Sequence, residues 1–166
     1  MTSAQEPTGQ QWWFRHEMPA PDEGGGRGFH VSNHGIARIL FETRNHFFER
    51  LPVEGGIWYA PVTPLVREIT LRYESEVMSG SPVVGLVAVT SRSRRSFVMQ
   101  ESIVEVSDPA SPRLVAAGHS IHVTVDTAAR AAVQIPDWML AALEDFQGGP
   151  IPPRSEEGVP LRPPPG

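Results

Sequence analysis

The spacing of hydrophobic residues changes partway along the chain. Over residues 35–51, Ile36, Ile39, Leu40, Phe47 and Leu51 recur near the 3.6-residue period of a helix. Arg38, Glu42, Asn45 and Glu49 form its polar stripe. Ser32 or Asn33 can cap it. From residue 69 the period falls to two. Ile69, Leu71 and Tyr73 alternate with Thr70, Arg72 and Glu74, which predicts a half-buried strand. Residues 83–91 and 96–106 predict two more strands, joined by a polar hairpin over 91–96. Residues 114–126 predict another, with His119, Ile121, Val123 and Val125 on one face and Ser120, His122 and Thr124 on the other. Ahead of the helix, residues 11–18 carry Trp12, Trp13 and Phe14 and read as a strand. After Pro136, residues 137–146 predict a short helix that Asp137 can cap. The order strand, long helix, four strands is an α+β pattern: one antiparallel sheet, curved by its twist, wrapped around one helix. The sheet's other face and its edges need cover, and self-association supplies it economically.

Composition narrows the function. The 166 residues, 40% hydrophobic and 20% charged, suffice for one domain. No apolar run reaches the ~20 residues of a membrane span, and the N-terminus lacks a cationic start followed by an apolar stretch, so a cytoplasmic protein is expected. There is no cysteine, which excludes disulfides, thiolate metal sites and a cysteine nucleophile. All 14 basic residues are Arg, which excludes lysine Schiff-base chemistry and a P-loop lysine. A net charge of -5 argues against nucleic acid as a partner. Residues 1–9 read as a loose arm, and 19–28, with Gly24, Gly25 and Gly26, as a flexible loop. Seven of the 17 prolines fall after Gln147, so the domain is placed at 10–147 and a disordered or extended tail at 148–166. That tail could also serve as a proline-rich ligand for a recognition domain.

Particular strings then carry a resemblance. Residues 29–51 read FHVSNHGIARILFETRNHFFERL, residues 64–83 PLVREITLRYESEVMSGSPV, residues 93–106 SRRSFVMQESIVEV, and residues 114–143 LVAAGHSIHVTVDTAARAAVQIPDWMLAAL. Taken in order, these resemble the hot-dog-fold acyl-CoA thioesterases of the 4-hydroxybenzoyl-CoA thioesterase type. His30, Val31 and Asn33 stand for the family's H-V-x-N core, and Phe41, Glu42 and Arg44 for its helix string. The resemblance implies hydrolysis of an acyl-CoA or acyl-carrier-protein thioester. Coenzyme A or phosphopantetheine would belong to the substrate, and no separate cofactor or metal is expected. It also implies a homodimer or homotetramer with sites at the subunit interface. Many members carry an Asp four residues before the motif His. Here that position is Gly26, or Arg27 if the register slips by one, with Asp22 and Glu23 nearby in the loop.

The candidate residues follow. The helix start at His34, Gly35 and Ile36 offers free N–H groups and a positive dipole end to an oxyanion. Gly35 either lets a ligand approach the backbone or permits a tight entry into the helix. Asn33 would help hold the carbonyl or the attacking water. Glu42 is a candidate general base, or else the i,i+4 partner of Arg38. His30 and His34 are candidate bases or donors; their spacing of four suits helical metal ligands, but His30 precedes the cap, so the pair need not share a face, and with no third ligand evident no metal is expected. Arg92, Arg94 and Arg95 offer a landing place for the phosphates of coenzyme A or a phosphopantetheine arm, or form a solvated turn. His119 and His122 fall on opposite strand faces and read as packed or edge residues. Trp12, Trp13, Trp58 and Tyr59 could line an acyl pocket or belong to the core. A hydro-lyase built on His30 and Glu42, or a non-catalytic acyl-thioester-binding protein lacking the Asp, are the alternatives.

Overall fold

The computed structural model describes residues 13–24 and 29–154. Its elements are β1 (Phe14–Pro19), α1 (Asn33–Glu49), a 3-10 turn (Ile57–Tyr59), β2 (Val62–Tyr73), β3 (Pro82–Arg92), β4 (Ser96–Glu105), β5 (Arg113–Asp126), the two-residue β6 (Ala131–Ala132) and α2 (Asp137–Gln147). The strands form one antiparallel sheet in the order β1-β3-β4-β5-β2, with β6 beside β5. The helix packs on β3, β1 and β4. This is the α+β pattern that the strand–helix–strand order predicted, in the hot-dog arrangement that the resemblance implied.

The two ends of α1 anchor two clusters. Toward its start, Ile36, Ile39 and Leu40 meet Val83, Ile103, Val115 and Ala116. Toward its end, Phe47, Phe48 and Leu51 meet Val87, Val89, Phe97 and Met99, with Met139 and Leu143 of α2. Phe47 stands edge-on to Phe14 at 5.8 Å and to Phe48 at 5.3 Å between ring centroids, a favoured aromatic geometry.

β2 departs from the expected half-buried strand. It begins seven residues earlier than the period-two run, at Val62, and its register shifts between Val66 and Glu68. Pro64 and that bulge break the alternation on which a sequence reading depends. It is also an edge strand, paired only with β5. Val66, Ile69 and Tyr73 pair with His122, Ser120 and Ala116, all buried, so they point to the helix side of the sheet. Yet they stay 46–49% exposed, because α1 packs on the other strands.

The C-terminal boundary is also corrected. The N-cap of α2 is Pro136, and Asp137 sits in the first turn without making a capping bond. Gly148 closes the helix in the left-handed conformation, φ 77°. The chain then stays on the domain. Ile151 is 2% exposed within the core, Pro152 accepts the Arg92 amide at 3.0 Å, and the Arg154 amide donates back to Arg92 at 2.6 Å. Gln147 bonds both backbone groups of Val89, at 2.8 and 2.7 Å, beyond the point where β1 pairing ends at Phe14 and Val87. The arm over 1–9, residues 25–28 of the loop and the tail from 155 lie outside the described residues.

Candidate functional site

The start of α1 is held by a short antiparallel strap. Phe29 accepts the Ser79 amide at 2.8 Å, Val31 donates to Val77 at 2.9 Å, and His30 bridges to Met78. Ser32 is the N-cap, in extended conformation, and its hydroxyl accepts the Gly35 amide at 3.3 Å. Ile36 donates to the Ser32 carbonyl at 3.0 Å. As first-turn residues, Asn33 and His34 have amides without an intrahelical acceptor, so both are available to a ligand. Both side chains are exposed.

A carboxylate stands at this helix end, although none occupies position 26 or 27. Glu23 accepts the Ser32 amide through Oε2 at 2.7 Å and the Ser32 hydroxyl through Oε1 at 2.7 Å. These two Ser32 bonds, with His34 adding a smaller attraction, hold the exposed Glu23 carboxyl below its ordinary value. Glu23 also explains part of the need for Gly35. A β-carbon on Gly35 would fall 2.4 Å from Val31 Cγ1 and 3.0 Å from Glu23 Cδ. The missing side chain at Gly35 is therefore filled by the protein's own groups. The sequence placed Glu23 only nearby in the loop before the helix, and no motif spacing ties it to the cap nine residues on.

The other candidates are dispersed. His30 Nδ1 lies 2.6 Å from Glu76 Oε2. Glu42 bonds Arg38 Nε at 2.8 Å, the i,i+4 pair weighed as its plain role. It also lines an open cleft of about 580 Å³ with Met18, Ala20, Asp22, Arg38 and Ser79. Beyond Glu42, His16 and His46 stack with ring centroids 4.1 Å apart, a pair the sequence reading missed. Burial, then the neighbouring His46, pushes the His16 imidazole below its usual value.

The arginine hairpin lies at the opposite end of α1. Phe97, next to the hairpin, touches Phe48 near the helix C-terminus at 6.2 Å. Seventeen helical residues span roughly 25 Å, so one protomer does not bring Arg92, Arg94 and Arg95 to Gly35. Arg92 Nε donates to the Ile151 carbonyl at 3.2 Å and Arg94 Nε to Gln134 at 3.4 Å. The aromatic candidates divide as well. Trp58 packs edge-on to Phe48 at 5.4 Å, Tyr59 is 89% exposed, and Trp12 lies outside the described residues.

A second polar cluster is sealed under α1. Arg44 Nη1 lies 2.7 Å from Glu101 Oε2, and Ser120 donates to the other Glu101 oxygen. Ser120 Oγ lies 2.9 Å from His122 Nε2. Because the serine proton goes to Glu101, Nε2 must be the donor to Ser120. That leaves Nδ1 as a bare lone pair, and among the described residues it is one of the buried side-chain atoms without a partner. Burial, reinforced by Arg44, pushes His122 down to about 3, so the ring is neutral. It stacks flat on Phe97 at 5.2 Å. His119, 7% exposed, faces the other way, as the alternation required. Among the described residues no cluster of His, Asp or Glu is placed to hold a metal ion, and no helix is long and apolar enough to cross a membrane.

The architecture is shared with solved structures, thioesterases among them. A Staphylococcus aureus protein in complex with CoA matches at TM-score 0.71, 12% identical over 98% of this chain and 100% of its own. A 1,4-dihydroxy-2-naphthoyl-CoA thioesterase from Synechocystis matches at TM-score 0.64, 15% identical over 80% and 96%. A variant of 4-hydroxybenzoyl-CoA thioesterase complexed with 4-hydroxybenzoyl-CoA matches at TM-score 0.68, 12% identical over 79% and 98%. No curated protein matches the chain in sequence. The family model described as the thioesterase-like superfamily matches residues 27–143, from the loop before His30 to Leu143 in α2. The match spans α1 and all the strands after it, so the chain belongs to the thioesterase-like superfamily.

Proposed function

We propose that this protein hydrolyses acyl-CoA thioesters at the N-terminus of α1. The observation that carries the reading is the superfamily match over residues 27–143, which contains that helix start whole. The Asn33 and His34 amides, with the dipole behind them, stabilise the oxyanion that forms as water adds to the thioester carbonyl. Asn33 and His34 side chains stand beside that point and orient the carbonyl or the water. CoA is the favoured carrier, because the solved structures similar to this chain include complexes with CoA and an acyl-CoA; an acyl-carrier protein remains the second choice. His30 and Glu42, on which a hydro-lyase would depend, are engaged with Glu76 and Arg38 instead.

The test is thiol release from benzoyl-, phenylacetyl- and C2–C16 acyl-CoA donors. Turnover with a clear acyl preference is the expected result. Tight binding of the same donors without turnover would replace hydrolysis by a carrier role.

The reading includes a second copy of the chain. β2 offers an unpaired edge, and Leu65, Val66, Ile69 and Tyr73 on it are 46–49% exposed. A two-fold pairing of β2 edges is antiparallel. It carries the arginine hairpin of one copy to the end of the sheet where α1 of the other begins, which is how Arg92, Arg94 and Arg95 would reach substrate phosphates. Sedimentation of the parent protein should give a dimer or tetramer. Ile69→Lys should weaken association at least tenfold, since it places a charge in the apolar seam. A monomeric parent at tens of micromolar would remove this arrangement.

A further inference from the structure

We propose that His16 of β1 and His46 of α1 form a proton-operated latch: the uncharged stack fastens β1 and the loop after it to the helix, and a proton on each ring releases them. The latch stands independently of the hydrolase reading, since it concerns how the chain ahead of α1 is fastened and not what happens to a substrate.

Three observations carry it. First, the two imidazoles face each other with ring centroids 4.1 Å apart and planes tilted by 33°. Rings in that contact attract while at least one is neutral, whereas two imidazolium cations so placed repel. Second, the stack lies on the seam between β1 and α1. β1 is a six-residue edge strand and, among the described residues, pairs with β3 alone. Phe14 at its start stands edge-on to Phe47 of α1, and by strand alternation His16 is the next side chain on that face. Third, the chain after β1 runs directly to the helix start. Ala20 bonds Ser81 and Gly80 at 2.8 and 2.9 Å, and Glu23 holds the Ser32 cap through its two 2.7 Å bonds. Seven positions separate His16 from Glu23, so a displaced β1 pulls on the cap contact.

The charges around the pair set its behaviour. α1 and its cap bring Glu42, which favours a proton on His16, and Arg50, which opposes one. Glu49 Oε2 lies 3.4 Å from His46 Nδ1. On β1, Arg15 and Glu17 alternate to the other face of the sheet. The residues of β3 on the helix side beside this strand are Val83, Gly85 and Val87, none of them charged. α2 reaches β1 through Phe146 on Phe14. The neighbouring carboxylates can therefore hold one proton on the pair, and the second must enter against a cation. Burial first, then His46, holds His16 below its ordinary value, so the folded chain takes that proton less readily than the unfolded one. The latch contributes fully above the ordinary histidine value of about 6.5 and gives way as pH falls through it toward the folded value.

The experiment measures hydrogen exchange of the full chain at pH 7.5 and 5.5 in the parent, His16→Phe and His46→Phe. Protection factors are compared, so that the intrinsic pH dependence of exchange cancels. Phenylalanine keeps a ring in the stack and leaves no place for a second proton. In the parent, protection of the β1 amides bonded to β3 and of the Ser32 amide should fall at least tenfold on acidification, with β4 changed less than threefold. In either variant the β1 amides should change less than threefold. A ring-proton NMR titration of the parent, which needs no variant to fold, should show the pair losing its protons in two steps, the lower one below the ordinary histidine range. Acid loss of β1 protection as large in the variants as in the parent, or a parent whose β1 ignores acid, overturns the latch. So does a Ser32 amide that stays protected while β1 opens, or independent titration of the two rings at ordinary values.

Discussion

Arg44→Met should destabilise the protein by about 3–5 kcal/mol, and adding Glu101→Met should return most of that loss. Arg44 and Glu101 are 5% and 2% exposed, and they meet between α1 and β4 with Ser120 and His122 closing the far side. Removing the guanidinium leaves a carboxylate without water or a counter-charge. Removing both charges leaves an apolar pair of similar bulk, which cores tolerate well. Urea unfolding followed by tryptophan fluorescence measures all three proteins.

The pH dependence identifies the cause. Burial pushes the Glu101 carboxyl up, while Arg44 and Ser120 pull it back. In Arg44→Met the largest opposing influence is gone, so the folded value rises further. A carboxyl raised in the folded state binds more protons there than in the unfolded chain. Its stabilising contribution is complete below the unfolded value of about 4.3 and is lost as pH rises through the folded value. The deficit of Arg44→Met should therefore be smaller at pH 5 than at pH 8. A deficit independent of pH would assign the loss to packing. Activity lost in any Arg44 variant is then a consequence of α1 coming loose, and says nothing of contact with substrate.

This network also marks where sequence reading stops. The helix and three strands were legible because Ile36, Ile39 and Leu40 obey a local period, and Val83 to Ser91 form a short apolar, Val-rich run bounded by turn residues. Which face of β5 meets the helix was not legible. It is the polar face, Ser120, His122 and Thr124, and its justification lies 19 and more residues away in Glu101 and Arg44. β2 was half visible, since Pro64 and the bulge after Val66 hid its first seven residues. Ile151 was hidden among prolines, though one large apolar side chain suffices to dock a segment. At the candidate site, Ser32, Asn33 and Gly35 announced a helix start, while Glu23 reaches the cap across nine residues and a glycine run, a distance no motif encodes.

The second large effect lies in the sheet itself. Gly118→Ala should cost about 3 kcal/mol, the upper end for an inserted methyl group. Gly118 of β5 pairs with Leu71 of β2, and a β-carbon there would fall 1.9 Å from the Thr70 carbonyl oxygen and 2.9 Å from its carbon. Those are backbone atoms, so no rotamer change can relieve the overlap, and β2 must move away from β5. Gly85 is the control. Its β-carbon would fall 2.0 Å from Thr43 Oγ1, a side-chain atom, and Thr43→Ala leaves only the β-carbon contact at 3.0 Å. Gly85→Ala should therefore be partly rescued by Thr43→Ala, whereas no substitution at Thr70 should rescue Gly118→Ala. Hydrogen exchange should show faster exchange of the β2 amides in Gly118→Ala, with α1 unchanged. If copies pair through the β2 edge as proposed, the same variant should also associate more weakly, and its thiol release should fall although every group at the start of α1 is intact. Full activity in a variant whose β2 exchanges freely would separate catalysis from the β2 edge and place the working site within one protomer.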